Sequence, residues 1–436
     1  MTSRTLIASI NGQQVGTLHD QAGLWAFEYC PQWLGWDYRF PLSPQLPLQA
    51  APIIDGGSIR PVQWYFDNLL PEEGQRRLLA ADARIDGADA FALLAWYGAE
   101  SAGSLTLLPA DSSTLEQGEQ RRALPDQALS QRIRALPHIA LTHNAPKRMS
   151  LAGAQHKLAV EFDGEQIYEP IGQRASSHIL KPDHPDPDYP HSVVNEWFVM
   201  ELARALGLSV PIVHRNYVPE PVYLIERFDR VPQNGQWLRR HVVDACQLLG
   251  LDRSFKYAQG NMDTLSRLAR ACRSPAVART RLFNWLVFNV LTGNSDAHLK
   301  NLSFMVSNAG VQLAPHYDLL SIAIYDSPAF DKTAWPNLTS LAWPILGASR
   351  FVEINRAVLI EAAQVLGIQR ATAERLLASQ LSRISDAATT LYLGFETDAA
   401  VRVQANPDLG AALAGESRAL RAIIYGVIRE MLIRLR

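Results

Sequence analysis

The sequence contains Gly293-Asn294-Ser295-Asp296-Ala297-His298-Leu299-Lys300-Asn301, and the pair Tyr317-Asp318 follows this stretch. Asp296 and Asn301 are five positions apart, and Asp318 comes seventeen residues after Asn301. Protein kinases place the catalytic Asp and a magnesium-binding Asn at the same spacing, with a second metal-binding Asp downstream. The spacing therefore predicts an ATP-dependent phosphotransferase in which Asp296 is catalytic and Asn301 and Asp318 bind Mg²⁺.

The segment before Asp318 predicts a short hairpin, Leu302–Met305 followed by Val311–Ala314, which would return Asp318 to the loop. Asp318 has apolar neighbours on both sides, so we expect its carboxylate to be partly buried and to need a partner or a metal. An Asp–x4–Asn pair alone is common, and Asp296 could instead be an ordinary turn residue after a buried helix. His298 is assigned a supporting role.

Composition describes a globular protein with more than one lobe. The chain has 436 residues, 47% of them hydrophobic and 19% charged, which is too long for one ordinary core and too apolar for disorder. The net charge of -2 gives no general attraction to nucleic acid or to a membrane. Local patches could still attract such partners, and the last helix is basic, with Arg418, Arg421, Arg429, Arg434 and Arg436.

Cysteine usage and hydropathy predict a cytoplasmic protein. The three cysteines, Cys30, Cys246 and Cys272, are sparse and lack metal-ligand spacing, which suits a reducing compartment. The most apolar stretch, Leu282 to Leu291, is far shorter than the roughly 20 residues of a membrane span. We therefore expect no membrane partner.

The hydrophobic patterns predict an α+β, two-lobed, protein-kinase-like fold. Thr5–Ile10 and Gln13–Leu18 flank Asn11-Gly12, a strong hairpin signal, and Leu24–Tyr29 predicts a third strand. The predicted organisation is a β-rich N-terminal subdomain (1–110), a connector (111–147), a β-rich ATP-binding region (148–228) and an all-helical C-terminal lobe (229–436). Within these parts we expect strands at Lys157–Phe162, Gln166–Pro170, His178–Lys181 and Tyr217–Glu226, and helices at Gln127–Ala135, Val193–Leu206, Val242–Leu249, Asn261–Cys272, Ala276–Thr292, Glu353–Leu366, Ala371–Leu393 and Gly410–Leu435. Ser327–Ser349 is expected to be a long loop.

The remaining parts of a kinase site occur upstream in the expected order. Lys181 ends a strand-like run and could neutralise phosphate charge, and Glu196 is on the next helix, where a kinase pairs a Glu with that Lys. Glu226 and Phe228 are at the expected hinge, whose backbone would hold adenine. The alternative for Lys181 is an exposed residue at a strand end.

The candidate phosphate loop, Met149 to Lys157, has one glycine and matches neither the glycine-rich kinase loop nor the P-loop. Small residues at Ala152, Gly153 and Ala154 would still let backbone N–H groups approach a phosphate. A simple turn before a strand is the alternative.

Motifs along nearly the whole chain resemble the HipA family, the serine/threonine kinase toxins of bacterial HipBA toxin–antitoxin modules. The motifs that carry the resemblance are Phe27-Glu28-Tyr29, Pro31 to Leu34, Pro41-Leu42-Ser43, Leu46 to Gln49, Phe66 to Pro71, Ser150 to Lys157, Ile179-Leu180-Lys181, Asn195-Glu196, Glu226 to Arg230 and Gly293 to Asn301. The family often has Glu where His156 stands here.

The resemblance implies a role for each matching residue. Asp296 would be the catalytic residue, Asn301 and Asp318 the magnesium ligands, and Ser150 the site of inhibitory autophosphorylation. Glu196 would support Lys181. The implied ATP-binding residues are Ala152, Gly153, Ala154, Gln155, His156, Lys157, Lys181, Glu226, Arg227, Phe228, His298, Leu299, Lys300, Asn301, Tyr317 and Asp318.

The resemblance also implies partners. The protein substrate would be an aminoacyl-tRNA synthetase, specifically glutamyl-tRNA synthetase, whose phosphorylation halts translation. A small DNA-binding, HipB-like antitoxin would neutralise the kinase, and operator DNA would be contacted mainly through it. Two alternatives stay open: a small-molecule or lipid phosphotransferase, and a catalytically dead partner of such an antitoxin.

Overall fold

The structure is a computed structural model that describes residues 3–110, 120–149, 151–233 and 235–436. The chain forms two compact units. Unit 1 consists of the chain up to Lys181 together with Leu224–Phe255 and Ser303–Ala314. Unit 2 consists of Pro182–Tyr223, Lys256–Leu302 and Pro315–Arg436. Each unit thus combines segments that are far apart in sequence.

The strands are β1 (Arg4–Ile10), β2 (Gln13–Gln21), β3 (Leu24–Tyr29), β4 (Ile53–Ile54), β5 (Leu105–Pro109), β6 (Arg121–Ala123), β7 (Leu158–Phe162), β8 (Ile167–Pro170), β9 (His178–Pro182), β10 (Val213–Tyr217), β11 (Pro221–Glu226), β12 (Arg230–Gln233), β13 (Gln236–Arg239), β14 (Val242–Asp244), β15 (Ser303–Ser307), β16 (Gly310–Leu313), β17 (Ser340–Ile345) and β18 (Ala348–Arg350). The α-helices are α1 (Pro31–Leu34), α2 (Pro61–Asp67), α3 (Glu73–Ala83), α4 (Ala90–Tyr97), α5 (Asp126–Arg134), α6 (Ser192–Ala205), α7 (Ala245–Leu249), α8 (Met262–Ala271), α9 (Pro275–Thr292), α10 (Arg356–Val365), α11 (Arg370–Ala405), α12 (Gly410–Arg421) and α13 (Arg429–Leu435). A π-helix, Ala422–Ile428, joins α12 to α13.

Unit 1 begins with an antiparallel sheet in the order β4-β3-β2-β1-β5. The hairpin predicted around Asn11-Gly12 is confirmed: both residues have positive φ angles, +48° and +80°, and Ile10 pairs with Gln13. A two-residue turn of this kind matches the twist of the strands it joins. Trp25, Phe27 and Tyr29 of β3 are buried, so alternate residues of the strand face the core.

The second sheet of unit 1 contains β9, β7, β8 and β6 side by side, all antiparallel. Strand β6 lies in the segment predicted as a connector, and α5 of the same segment is close to the predicted helix. β14, β15 and β16 form a small antiparallel sheet, which confirms the predicted hairpin before Asp318.

Unit 2 is built around α9, which is buried on nearly all sides from Leu282 to Thr292. A helix that is hydrophobic all round belongs in the interior. α11 contacts α9, α6, α10 and α12, and it continues beyond the predicted end at Leu393 to Ala405. Gly207 follows the C-cap residue of α6, and its φ of +87° is the left-handed conformation in which many helices end.

The kinase-like α+β architecture agrees with the sequence, with several local corrections. The predicted helix Val242–Leu249 is strand β14 followed by α7, because Asp244 caps the helix with its side chain and starts it at Ala245. Ser327–Ser349 is not a plain loop, since β17 and most of β18 form a hairpin there. The C-terminal region is therefore helical with short hairpins added.

Candidate active site

The loop from Gly293 to Asn301 starts where α9 ends. Gly293 caps the helix in the left-handed conformation, with φ +66°. A Cβ atom at this position would lie 2.6 Å from the Cβ of Ala323 and 2.7 Å from Cγ1 of Val427. Glycine is therefore required both for the backbone conformation and for the close packing.

Side-chain amides fold the loop onto itself. Asn294 accepts a hydrogen bond from the Asp296 backbone N–H (3.1 Å), and Asn301 donates its amide to the Asp296 carbonyl (3.0 Å). The His298 N–H also donates to that carbonyl (2.8 Å). The five-residue spacing between Asp296 and Asn301 thus closes a compact turn, in which the side chains of Asn294 and Asn301 bond to the backbone of Asp296.

Neighbouring segments of unit 2 fix the loop from outside. The Leu299 N–H donates to the Lys256 carbonyl (3.1 Å), and the Tyr317 hydroxyl donates to the Lys300 carbonyl (2.9 Å). Trp343 of β17 donates its indole N–H to the carbonyl of Ala297 (3.0 Å). These contacts restrict the backbone along most of the loop.

Asp318 is brought back to the loop as predicted. Asn294 donates to the Asp318 carbonyl at 3.5 Å, and Asp318 has a positive φ of +58°, which Asp tolerates better than most residues. Three residues later, Ser321 is held by fully buried Asn195, which accepts from the Ser321 N–H (2.8 Å) and donates to the Ser321 carbonyl (2.9 Å). Asn195 therefore anchors the segment that carries Asp318.

The environment of Asp296 changes its acidity. Burial raises the pKa of the Asp296 carboxyl, and the charge of nearby Asp318 raises it further, whereas His298, Lys256 and a hydrogen bond from the Tyr257 hydroxyl oppose the increase. The Tyr257 hydroxyl donates to Oδ1 of Asp296. Two carboxylates are thus close enough to repel each other, a situation that favours a bound cation.

Glu196 of α6 lies in the same unit as the loop. It is buried, and it lies near Tyr223, whose hydroxyl pKa is raised by burial and then by the charges of Glu196 and Asp318. Lys181 is buried at the end of β9 in unit 1. The pairing of Lys181 with Glu196 stays a prediction.

The donor set in unit 2 suits Mg²⁺. The amide nitrogen of Asn301 donates its hydrogen bond inside the loop. The amide oxygen of Asn301 could therefore bind a metal together with the Asp318 carboxylate. Magnesium prefers such oxygen ligands and commonly takes only one or two carboxylates, with water and phosphate oxygens completing the shell. Within the described part of the chain, no group of three or more His, Cys, Asp and Glu residues forms a metal site.

The candidate phosphate loop belongs to unit 1. Gly153 has a φ of +108° and forms a bridge with Pro71, and its carbonyl accepts from the Glu72 N–H (3.2 Å). Lys157 donates to the Ala152 carbonyl (2.7 Å), so this ammonium group closes the loop on itself. Ser150, the predicted autophosphorylation site, lies outside the described residues.

The residues predicted to contact adenine lie at the end of β11 and directly after it, in unit 1. Glu226 is the last residue of the strand, and both it and Phe228 are half-buried. Arg227 is different, because all five of its guanidinium N–H groups are directed at Asp229, Glu100, Ser176 and the Ser101 carbonyl. Its side chain has no donor left for a nucleotide, so the predicted contact is confined to the backbone of Arg227.

Sequence reasoning missed Tyr257, Lys256 and Tyr223. Tyr257 and Lys256 lie about forty residues before Asp296 and share no spacing rule with it. Tyr223 is an apolar-looking member of a buried strand. No signal in a single sequence distinguishes these residues, because only the fold brings them to the loop.

The loop from Gly293 to Asn301, the nearby Asp318 and the α+β fold together are those of a protein-kinase-like protein. Comparison with known families narrows this class. The HipA N-terminal domain matches residues 6–108, and the HipA-like C-terminal domain matches residues 149–388, more than half of the chain. The chain therefore belongs to the HipA family.

Individual relatives agree with the assignment. The chain is 36% identical over 337 residues to the candidate kinase Y4mE of Sinorhizobium fredii, covering 74% of this chain and 79% of the relative. It is 32% identical over 326 residues to the serine/threonine-protein kinase toxin HipA of Shewanella oneidensis, covering 70% and 72%. A solved structure of Shewanella oneidensis HipA with HipB and operator DNA matches with a TM-score of 0.75 and 27% identity, covering 98% of this chain and 99% of that one.

In the described part of the chain, no helix combines the length and hydropathy needed to cross a membrane.

Proposed function

We propose that this chain is an ATP-dependent serine/threonine protein kinase and the toxin of a toxin–antitoxin module. The observation that carries the proposal is the grouping of Asp296, Asn301 and Asp318 in unit 2, where one side chain can accept a proton and two can hold a metal. Phosphoryl transfer needs little more from a protein than this positioning and charge stabilisation.

Asp296 orients the hydroxyl of the protein substrate and accepts its proton. The hydrogen bond from Tyr257 occupies Oδ1, which leaves Oδ2 for the incoming hydroxyl. A pKa raised above the usual range of Asp makes the carboxylate a better proton acceptor. When bound, Mg²⁺ at Asn301 and Asp318 would neutralise charge on the transferred phosphate.

The ATP-binding residues are proposed one by one from the family resemblance. Ala152 to Lys157 would cover the phosphates, Lys181 would contact them, and Glu226 and Phe228 would line the adenine site. His298 to Asn301 and Tyr317-Asp318 are also proposed to bind ATP.

An aminoacyl-tRNA synthetase, with glutamyl-tRNA synthetase as the first candidate, is the proposed protein substrate. Ser150 is the proposed autophosphorylation site. A phosphate there adds about -1.5 to -2 charges at pH 7 and would repel ATP phosphates from a loop that must hold them.

The proposed partner is a HipB-like antitoxin that binds operator DNA on behalf of the pair. The net charge of -2 fits a chain that does not itself bind DNA strongly. The HipB and operator DNA in the solved Shewanella oneidensis complex support this assignment.

Incubation with labelled ATP tests the chemistry. We expect label on the protein itself, including Ser150, and at least a roughly 100-fold loss when Asp296→Asn removes the proton acceptor. Asp386→Asn, an exposed position on α11, is the matched control and should retain activity. Label found only in a small acceptor would contradict the protein-kinase proposal, and toxicity that survives Asp296→Asn would indicate a non-catalytic partner.

Phosphosite mapping in a cell lysate tests the substrate. Sites that appear with the active chain and are absent with Asp296→Asn should include a synthetase. A set of sites without any synthetase would overturn this part of the proposal and leave the kinase assignment intact.

A further inference from the structure

Unit 1 contains a buried group of charged side chains that the proposed phosphoryl transfer does not use. Fully buried Glu100 is at its centre and pairs with Lys147 (2.8 Å), Arg227 (3.1 Å), Arg230 (2.8 Å) and Arg239 (2.7 Å). Asp229 adds a second carboxylate, paired with Arg227 and Arg230. We call these six residues the Glu100 cluster.

Charge in the Glu100 cluster is not balanced. Four cations face two carboxylates, which leaves a formal excess of two positive charges in the interior of the unit. Burial and repulsion from neighbouring cations lower the pKa of Lys147 to about 8 and that of Arg230 to about 10. Buried charge of one sign is costly unless a counter-charge is present.

A cavity of about 290 Å³ opens beside this cluster. Its lining includes Lys147, Arg239, Arg174, Gln173, Gln236 and Trp237, and no Asp or Glu is found among the described residues that line it. Arg174 is already paired with Glu161, so Lys147 and Arg239 are the cations that the cavity shares with the cluster. The volume is near the lower limit for small-ligand pockets.

Lys147 and Arg239 keep donors for a further partner. The Lys147 ammonium donates to Glu100 and to the Arg174 carbonyl, which uses two of its three N–H groups. The Arg239 guanidinium donates once, to Glu100, and its other N–H groups have no partner among the described residues. Both cations are held in place by the same carboxylate, so a ligand would find them already oriented.

We propose that this cavity is a binding site for a small phosphate monoester. A phosphate dianion would compensate the two excess charges and accept hydrogen bonds from the remaining donors of Lys147 and Arg239. Trp237 and Leu108, which also line the cavity, offer apolar surface to the carbon part of such a molecule. A dicarboxylate also carries two negative charges, but it divides them between two groups. Neither group alone can therefore bring both charges to Lys147 and Arg239, as a phosphate does.

Calorimetric titration of the full chain with inorganic phosphate and with phenyl phosphate tests the site at constant ionic strength. Intact mass first establishes that the protein carries no phosphate of its own, since a phosphorylated side chain would offer the same chemistry. We expect both probes to bind, phenyl phosphate more tightly. Gln173→Glu and Gln236→Glu place a carboxylate at exposed lining positions and should weaken both at least about tenfold.

Two further variants make the test specific. Gln131→Glu adds the same charge at an exposed position of α5 away from the cavity lining and should leave affinity unchanged. Lys181→Met removes the cation assigned to ATP phosphate and should also leave it unchanged. No binding below about 10 mM, loss of binding with Lys181→Met alone, or tighter binding of succinate than of phenyl phosphate would each overturn the proposal.

Discussion

The loop of unit 2 and the Glu100 cluster of unit 1 both concentrate charged side chains, yet they are built in opposite ways. Nine consecutive residues and one nearby Asp form the loop, and turn hydrogen bonds to the backbone hold it. The Glu100 cluster is assembled from residues between positions 100 and 239, held by ion pairs with one another. The first arrangement leaves Oδ2 of Asp296 available, whereas the second uses its carboxylates internally.

This difference separates charges suited to chemistry from charges that support structure. Asp296 is half-buried near another carboxylate and its pKa is raised, so its ionised form gains from an external partner. The pKa of Glu100 is held well below the usual range by the surrounding cations, despite its burial. Arg227 is an example of the second kind of charge. Its neighbours in sequence suggest that it contacts a nucleotide, but its side chain is bonded within the Glu100 cluster.

Removal of the central carboxylate should have the largest effect. Glu100→Gln leaves four buried cations with one carboxylate, and we expect it to lower the free energy of unfolding by about 3 to 5 kcal/mol. Urea denaturation followed by fluorescence measures the change, and hydrogen exchange should place the lost protection around residue 100. Glu165→Gln, at an exposed turn of the same unit, should have little effect. Equal effects of the two variants would show that the cluster is not a structural centre.

A substitution at Gly293 tests the packing of the loop in unit 2. Gly293→Ala forces a left-handed residue and a clash with Ala323 and Val427, and we expect a loss of about 2 to 4 kcal/mol. Gly394→Ala is expected to have the opposite effect on stability, because this position is within α11 and a Cβ atom added there would have no atom within 4 Å. That variant should gain about 0.5 to 1 kcal/mol. If both substitutions change the free energy of unfolding in the same direction, packing at the start of the loop is less tight than described.

Asn195 links α6 to the segment after Asp318, and Asn195→Ala is expected to act on metal binding. It leaves the buried N–H and carbonyl of Ser321 without their partner, at a cost of about 1 to 3 kcal/mol. The Mg²⁺ concentration needed for half-maximal autophosphorylation should rise. Asn337→Ala, at an exposed position of unit 2, should leave it unchanged. A stability loss without any change in magnesium dependence would limit Asn195 to a structural role.

The sequence predicted the loop better than its surroundings for a physical reason. Asp296, Asn301 and the hairpin before Asp318 are linked by local spacing, and local spacing can be inferred from one sequence. Asn11-Gly12 is predictable for the same reason. Tyr257 reaches Asp296 only through tertiary packing, and the members of the Glu100 cluster reach one another in the same way. No pattern of neighbouring residues in the sequence therefore identifies them. The strand β14 was missed because two valines before a capping Asp also fit a helix.

Tyr257 gives the smallest expected effect and the most direct test of how the loop controls acidity. Burial, followed by the charge of Asp318, raises the pKa of Asp296, and the Tyr257 hydroxyl opposes the increase by donating to the ionised form. Tyr257→Phe should therefore raise the pKa further and move the acid limb of kcat/KM to higher pH. Because one hydrogen bond is lost, kcat at neutral pH should fall by less than about tenfold. The exposed Tyr425→Phe should leave the profile in place, whereas an acid limb unmoved by Tyr257→Phe would mean that Asp296 is not the group whose ionisation limits the rate.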